Sequence, residues 1–232
     1  MQSGFSADCR RCERLAAFLD EVKARHPDYY ARPVPAFGDE APRLLIIGLA
    51  PGMHGANRTG RPFTGDFAGI LLYRTLYKFG FANHEGSGSV DDNLQLMQCR
   101  ITNAVKCLPP ENKPQPGEIR QCNHYLAAEI ADFLAGRGVA LLALGAIAHQ
   151  AALIALGLKP GSYPFSHGAV HSLPSLPPDS AKSLSNRSLT TLYDSYHCSR
   201  YNTQTRRLTP DMFEQVFERI CADLNFHQKT GD

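Results

Sequence analysis

Leu44-Leu45-Ile46-Ile47-Gly48, followed by Leu49-Ala50-Pro51-Gly52-Met53-His54-Gly55-Ala56-Asn57-Arg58-Thr59-Gly60-Arg61-Pro62-Phe63-Thr64-Gly65-Asp66, is the stretch on which the fold turns. Four apolar residues in succession, ended by glycine, read as a strand covered on both faces, the pattern of a parallel sheet. The segment after it is too long for a plain turn. Counting Gly48, its five glycines and two prolines fix the backbone path and let a ligand approach the chain closely. It carries neither G-x-G-x-x-G nor a Lys-Ser/Thr ending, so a generic phosphate cradle fits it poorly.

Outward from this strand, helical and extended patterns alternate. Arg10 to Arg25 has Leu15, Phe18, Leu19 and Val22 on one face, and Phe67 to Phe79 is again helical. Cys99 to Asn103 reads as a second strand, Val139 to Leu144 as a third and Leu189 to Leu192 as a fourth. Helices are expected over Gly117 to Leu134, Ala146 to Leu156 and Pro210 to Leu224, the last capped by Thr209. The stretch 172–188, with Pro174, Pro177 and Pro178, is expected to be a surface loop. The alternation predicts a single α/β domain over residues 1–232: a central, mainly parallel four-stranded sheet with helices on both faces. Ligands of such sheets bind beyond the carboxyl ends of the strands. Attention therefore falls on the residues after Gly48, Thr102, Gly145 and Tyr193.

The composition limits what those loops can serve. The chain has 232 residues, 43% of them hydrophobic, enough to bury a sizeable core. Its 19 Gly and 16 Pro are too few for a low-complexity chain. No apolar run approaches a membrane span and the polar start lacks a signal-peptide core, so a cytoplasmic protein without a membrane partner is expected. Net charge is only +2, which gives no global attraction to nucleic acid. Arg58, Arg61, Arg200, Arg206 and Arg207 instead suggest a local basic cluster.

Three side-chain types can do chemistry, the first two of them at strand ends. Asn103 can both donate and accept, as reading a base edge requires, although a strand-end Asn is commonly a cap. His197, in Tyr196-His197-Cys198-Ser199-Arg200-Tyr201-Asn202, can hydrogen-bond a leaving group. Of the seven cysteines, Cys9-x-x-Cys12 and the pair Cys107 and Cys122 form a candidate metal set, and four thiolates suit Zn²⁺ or a [4Fe–4S] cluster equally well.

Three of these segments, Gly48-Leu49-Ala50-Pro51 through Thr64-Gly65-Asp66, Thr102-Asn103-Ala104-Val105-Lys106-Cys107, and His197 through Asn202, together resemble the uracil-DNA glycosylase superfamily. The chain is most similar to its iron–sulfur branch called family 5, or type B. The sister family 4 usually has an acidic residue where this chain has Leu49. The resemblance implies that Cys9, Cys12, Cys107 and Cys122 hold a [4Fe–4S] cluster as a folding clamp. It also implies a monofunctional, base-flipping DNA repair glycosylase that removes uracil, and other damaged bases such as hypoxanthine, leaving an abasic site. Asp66 would orient the attacking water and offset sugar charge, while His197 would hydrogen-bond uracil O2. Phe63 would stack on the flipped base, Asn103 would read its edge, and Ala50, Pro51 and Gly52 would contact it through the backbone. Arg200 and Tyr201 would form the wedge, with His54, Asn57, Arg58, Ser199 and Arg206 on phosphates. A monomer acting on damaged DNA is expected.

Two positions depart from the family pattern: Cys198 replaces the usual Pro of the His loop, removing a fixed φ, and Gly52 stands where Ala is frequent. The competing readings are a uracil-restricted family 4 enzyme, a non-catalytic binder of damaged DNA, and an iron–sulfur or zinc protein acting on free nucleosides.

Overall fold

The computed structural model describes residues 4–174 and 190–226. The four expected strands are present as β2 (Leu44–Gly48), β3 (Cys99–Asn103), β4 (Ala140–Leu144) and β6 (Thr190–Ser195). They lie side by side in the order β3-β2-β4-β6, all parallel. Two short antiparallel edge strands extend this centre to six. β1 (Phe37–Gly38) pairs with β3, and β5 (Val170–Leu173) pairs with β6. Ser172 and Leu173 are therefore strand, correcting the expected loop there, while residues 175–188 of that stretch lie outside the described residues.

Helices cover both faces. α3 (Phe67–Lys78) and α7 (Pro210–Leu224) bury Leu72, Leu76, Phe213 and Phe217 against Leu44, Ile46, Ile101 and Leu142. α4 (Pro116–Ala135) and α5 (Ala146–Ala155) bury Leu126, Ile130, Ala152 and Leu153 against Leu45, Ile47, Leu141 and Ala143. Alternate residues of β2 thus enter two separate cores, which is why its whole sequence is apolar. α1 (Glu13–Arg25) packs with Leu15, Leu19 and Val22 on Val105, Leu108 and Tyr125, forming a third cluster beside the central sheet. Two single-turn helices, α2 (Ala56–Thr59) and α6 (Arg200–Gln204), lie in the loops after β2 and β6.

Helix ends follow local chemistry. Thr209 accepts a hydrogen bond from Met212 N at the start of α7, and Gln115 with Glu118 forms a reciprocal capping box at the start of α4. From β2, the connection through α3 leads to β3 on one side, and later strands continue on the other. That reversal of direction opens a crevice between the carboxyl ends of β2 and β4. No described helix is long and apolar enough to cross a membrane.

Candidate active site

A cleft of about 490 Å³ occupies this crevice. Its walls include Ala50 and Gly52 after β2, Asn103 at the end of β3, Gly145 after β4 and His197 after β6. Phe63 and Asp66, from the end of the long loop, complete it. The sheet register aligns these ends: Gly48 lies opposite Asn103, and a Cβ on Gly48 would collide with Asn103 Oδ1 and meet the Phe63 ring at 2.8 Å. Glycine is required there because the Asn103 and Phe63 side chains cross directly over the backbone.

Asp66 has two tasks. It caps α3, with Oδ1 accepting from Gly69 N at 2.9 Å. Oδ2 faces the glycine backbone of the loop, 3.5 Å from where a Cβ on Gly52 would stand. Burial raises the pKa of Asp66 above its ordinary value, against the opposing pull of backbone amides at Gly69 and Ala68. His197 responds oppositely: burial lowers its pKa to about 4, so it is neutral at physiological pH. Its ring stacks on Phe63 at 5.9 Å between centroids. Phe63 adopts φ 55°, a left-handed conformation that a bulky residue rarely takes. Asn103 is 3% exposed, and its Oδ1 finds no hydrogen-bond partner within the described protein.

The His197 loop is held without proline. Asn202 Nδ2 donates to His197 O at 2.8 Å, and Ser199 Oγ caps α6 by accepting from Asn202 N. Cys198 fills the buried space beneath. Tyr196 N donates to His167 Nδ1 at 3.2 Å on the preceding side.

The rim residues separate into two groups. Ser199 and Arg200 line the cleft, Tyr201 is 71% exposed beside them, and Arg200 lies over the Phe67 ring at 5.9 Å. His54, Arg58 and Arg206 are also exposed, His54 being held by the Tyr29 hydroxyl at 2.8 Å. Pro51 is buried and does not line the cleft. Asn57 corrects an expectation: it is fully buried in α2, so its amide cannot reach a phosphate at the surface. Arg61 corrects another. Its guanidinium is buried on Asp92 at 2.6 and 2.9 Å and shapes the loop instead of joining a basic face.

Cys9, Cys12, Cys107 and Cys122 surround one hollow, closed by Leu15 and Tyr125. Burial pushes Cys107 up to about 12 and Cys122 up to about 11, and neighbouring thiols add to both shifts. Beside them, Lys106 is buried with its ammonium on both oxygens of Glu129, at 2.8 and 2.7 Å, and on Thr102. This pair ties α4 to the Asn103 strand.

Sequence reasoning missed several cleft residues. Phe67 and Ile147 contribute apolar contacts from the first turns of α3 and α5, and such residue types announce no chemistry. Asn112 enters from the turn between Cys107 and Cys122, where it adopts a positive φ of 57° that its sequence context does not announce.

Comparison with known proteins follows the same pattern. A family model described as "Uracil DNA glycosylase superfamily" matches residues 35–221. The chain is similar to a type-5 uracil-DNA glycosylase of Thermus thermophilus, 45% identical over 90% of each chain. A type-5 relative from Pyrobaculum aerophilum is 37% identical over 93% of this chain and 89% of its own. A type-4 relative from Archaeoglobus fulgidus is 31% identical over only 53% of this chain and 48% of its own. With cleft, strand ends and sequence in agreement over most of its length, the chain belongs to the uracil-DNA glycosylase superfamily, among relatives of the type-5 group.

Proposed function

We propose that this protein removes uracil from DNA by hydrolysing its N-glycosidic bond, leaving an abasic site in an uncut strand. The observation that carries the reading is the Asn103 amide. Its oxygen is a buried acceptor without a partner among the described residues, on the wall that also holds Phe63, Asp66 and His197. A buried unsatisfied oxygen calls for a donor, and the N3–H of a flipped uracil supplies one.

In this pose Phe63 stacks on the base and Asn103 reads its edge, assisted by backbone groups of Ala50 and Gly52. As the bond lengthens, negative charge gathers on the base and positive charge on the sugar. Neutral His197 donates a hydrogen bond to uracil O2, and the amino end of α5 turns its positive pole toward the cleft. Asp66, with Oδ1 anchored on Gly69, keeps Oδ2 to orient the attacking water and take up its proton. Arg200 and Tyr201 wedge into the gap left by the base, while Ser199, His54, Arg58 and Arg206 meet phosphates. Gly52 leaves room for bases larger than uracil, such as hypoxanthine.

The cysteine set fits a [4Fe–4S] cluster. Among the described residues, the group of three or more His, Cys, Asp or Glu ligand atoms lying within 4.8 Å of one another is His149, His171 and Asp194; no three of the four sulfurs close to that spacing. A zinc tetrahedron with bonds of about 2.3 Å needs sulfurs roughly 3.8 Å apart, so the wider set suits a larger group. When bound, the cluster supplies a structural clamp joining the α1 segment to the Cys107–Cys122 loop and takes no part in the bond cleavage.

The test is an end-labelled duplex with one uracil, incubated with cluster-loaded protein and then treated with alkali. A band that needs alkali supports the reading, and the same substrate with hypoxanthine measures its breadth. No band from folded, iron-loaded protein overturns uracil excision.

A further inference from the structure

Behind the His197 strand, on the face away from α3 and α7, three ionisable side chains meet in a largely apolar setting. Asp194 of β6 is completely buried, His149 of α5 is 1% exposed, and His171 of β5 is partly accessible. Asp194 Oδ1 lies 2.7 Å from His149 Nδ1, and Asp194 Oδ2 lies 3.1 Å from His171 Nε2. Among the described residues, the ion-pair partners of Asp194 are these two histidines, with no Lys or Arg.

The other nitrogen of His149 decides the chemistry. Nε2 lies 2.8 Å from the carbonyl oxygen of Tyr163, a group that can only accept, so Nε2 must carry a hydrogen. In the neutral ring the Nδ1 lone pair then faces a carboxylate oxygen at 2.7 Å. Two lone pairs at that distance need a cation between them. A ring N–H donated to a backbone carbonyl is also the usual outer support of a metal-bound histidine.

We propose that His149, Asp194 and His171 form a second metal site, taking one zinc-class divalent cation through Nδ1, a carboxylate oxygen and Nε2. All three donor atoms lie within 4.8 Å of one another. Tetrahedral zinc with bonds near 2.0–2.1 Å sets its donors about 3.3 Å apart; the 2.7 Å contact is to Asp194 Oδ1 and the 3.1 Å contact to Oδ2, so the carboxylate turns to bring one oxygen between the two histidine nitrogens. The partly accessible edge at His171 provides the entry path and leaves a fourth position for water. A proton bridging His149 and Asp194 is the occupant that the metal displaces. Imidazole and carboxylate together favour zinc, cobalt or nickel over magnesium or calcium. The site joins α5, β5 and β6 three residues before His197, so its role is to brace the strand that presents that histidine.

Co²⁺ is the probe, added to cluster-loaded protein and counted after desalting, with its absorption spectrum recorded. One Co²⁺ per chain is expected, with ligand-field bands and no new thiolate-to-cobalt charge-transfer band in the difference spectrum against cobalt-free, cluster-loaded protein. His171→Gln should weaken retention by at least about tenfold. His171→Gln can still donate to Asp194, which guards the fold, and thermal unfolding checks that it is intact. No stoichiometric Co²⁺, retention unchanged in His171→Gln, or a new thiolate-to-cobalt charge-transfer band in the difference spectrum would each overturn the proposal.

Discussion

Replacing Gly55 by alanine tests the placement of the Asp66 carboxylate without altering Asp66 itself. A Cβ at Gly55 would stand 2.5 Å from both Cβ and Oδ2 of Asp66, and 2.8 Å from its Cγ. Non-bonded carbon contacts settle near 3.5–4.0 Å, so the carboxylate must retreat by about 1 Å. Retreat also strains the cap at 2.9 Å from Gly69 N, the contact that fixes Oδ1. A displacement of that size at a reacting group costs roughly 10²-fold in rate. Gly52→Ala is the matched control, because its Cβ would meet Asp66 Oδ2 at 3.5 Å, an ordinary contact. It should stay within roughly threefold of the parent, since no atom has to move. The assay is single-turnover uracil release at saturating enzyme, with Asp66→Ala as the floor and thermal unfolding as the check on folding. A folded Gly55→Ala enzyme within threefold of the parent, or a Gly52→Ala enzyme equally impaired, would refute the assignment of Asp66 as the group that positions water.

The acid limb of kcat/KM should belong to Asp66. Burial raises its pKa, the carboxylate is the working form, and activity therefore falls as pH drops through that raised value. His197 stays neutral down to about 4, so His197→Gln should lower the rate yet keep the limb. Cys12→Ala should lose the iron absorbance and most of the bound iron, read by colorimetric iron analysis of protein prepared without oxygen. Glu129→Ala leaves the buried Lys106 ammonium without its carboxylate and should cost about 3–5 kcal/mol in urea unfolding. Tyr201→Ala removes an exposed ring, so it should weaken excision from duplex more than from single-stranded DNA while the melting temperature is unchanged.

The parallel centre was legible because Leu44–Gly48 and Ala140–Leu144 are apolar throughout, the mark of strands covered on both faces. The edge strands were not. Phe37–Gly38 is two residues long, and Val170-His171-Ser172-Leu173 offers one fully buried side chain, so neither produces an apolar run. β6 reached three residues beyond its expected end for a related reason. Asp194 and Ser195 are polar residues buried in strand, made tolerable by histidines from elsewhere in the chain. In the cleft, the strand-end polar groups could be read from residue type and position. The depth of Asn57 and the Arg61–Asp92 pair could not, because both depend on how a long loop folds back on itself.

The cap on α3 has a practical consequence. Gly69 N is at once the first-turn amide that Asp66 satisfies and the point where the chain passes so close to the Phe63 carbonyl that no side chain fits. Phe63, the Asp66 carboxylate and the first turn of one helix therefore converge on a single residue, Gly69. Each fraying of that turn frees the carboxylate, so hydrogen exchange at Gly69 measures how often the site is assembled, in the resting protein and without any substrate. Damage far away in α3 or α7 would register at this one amide before it appeared as a change in overall shape.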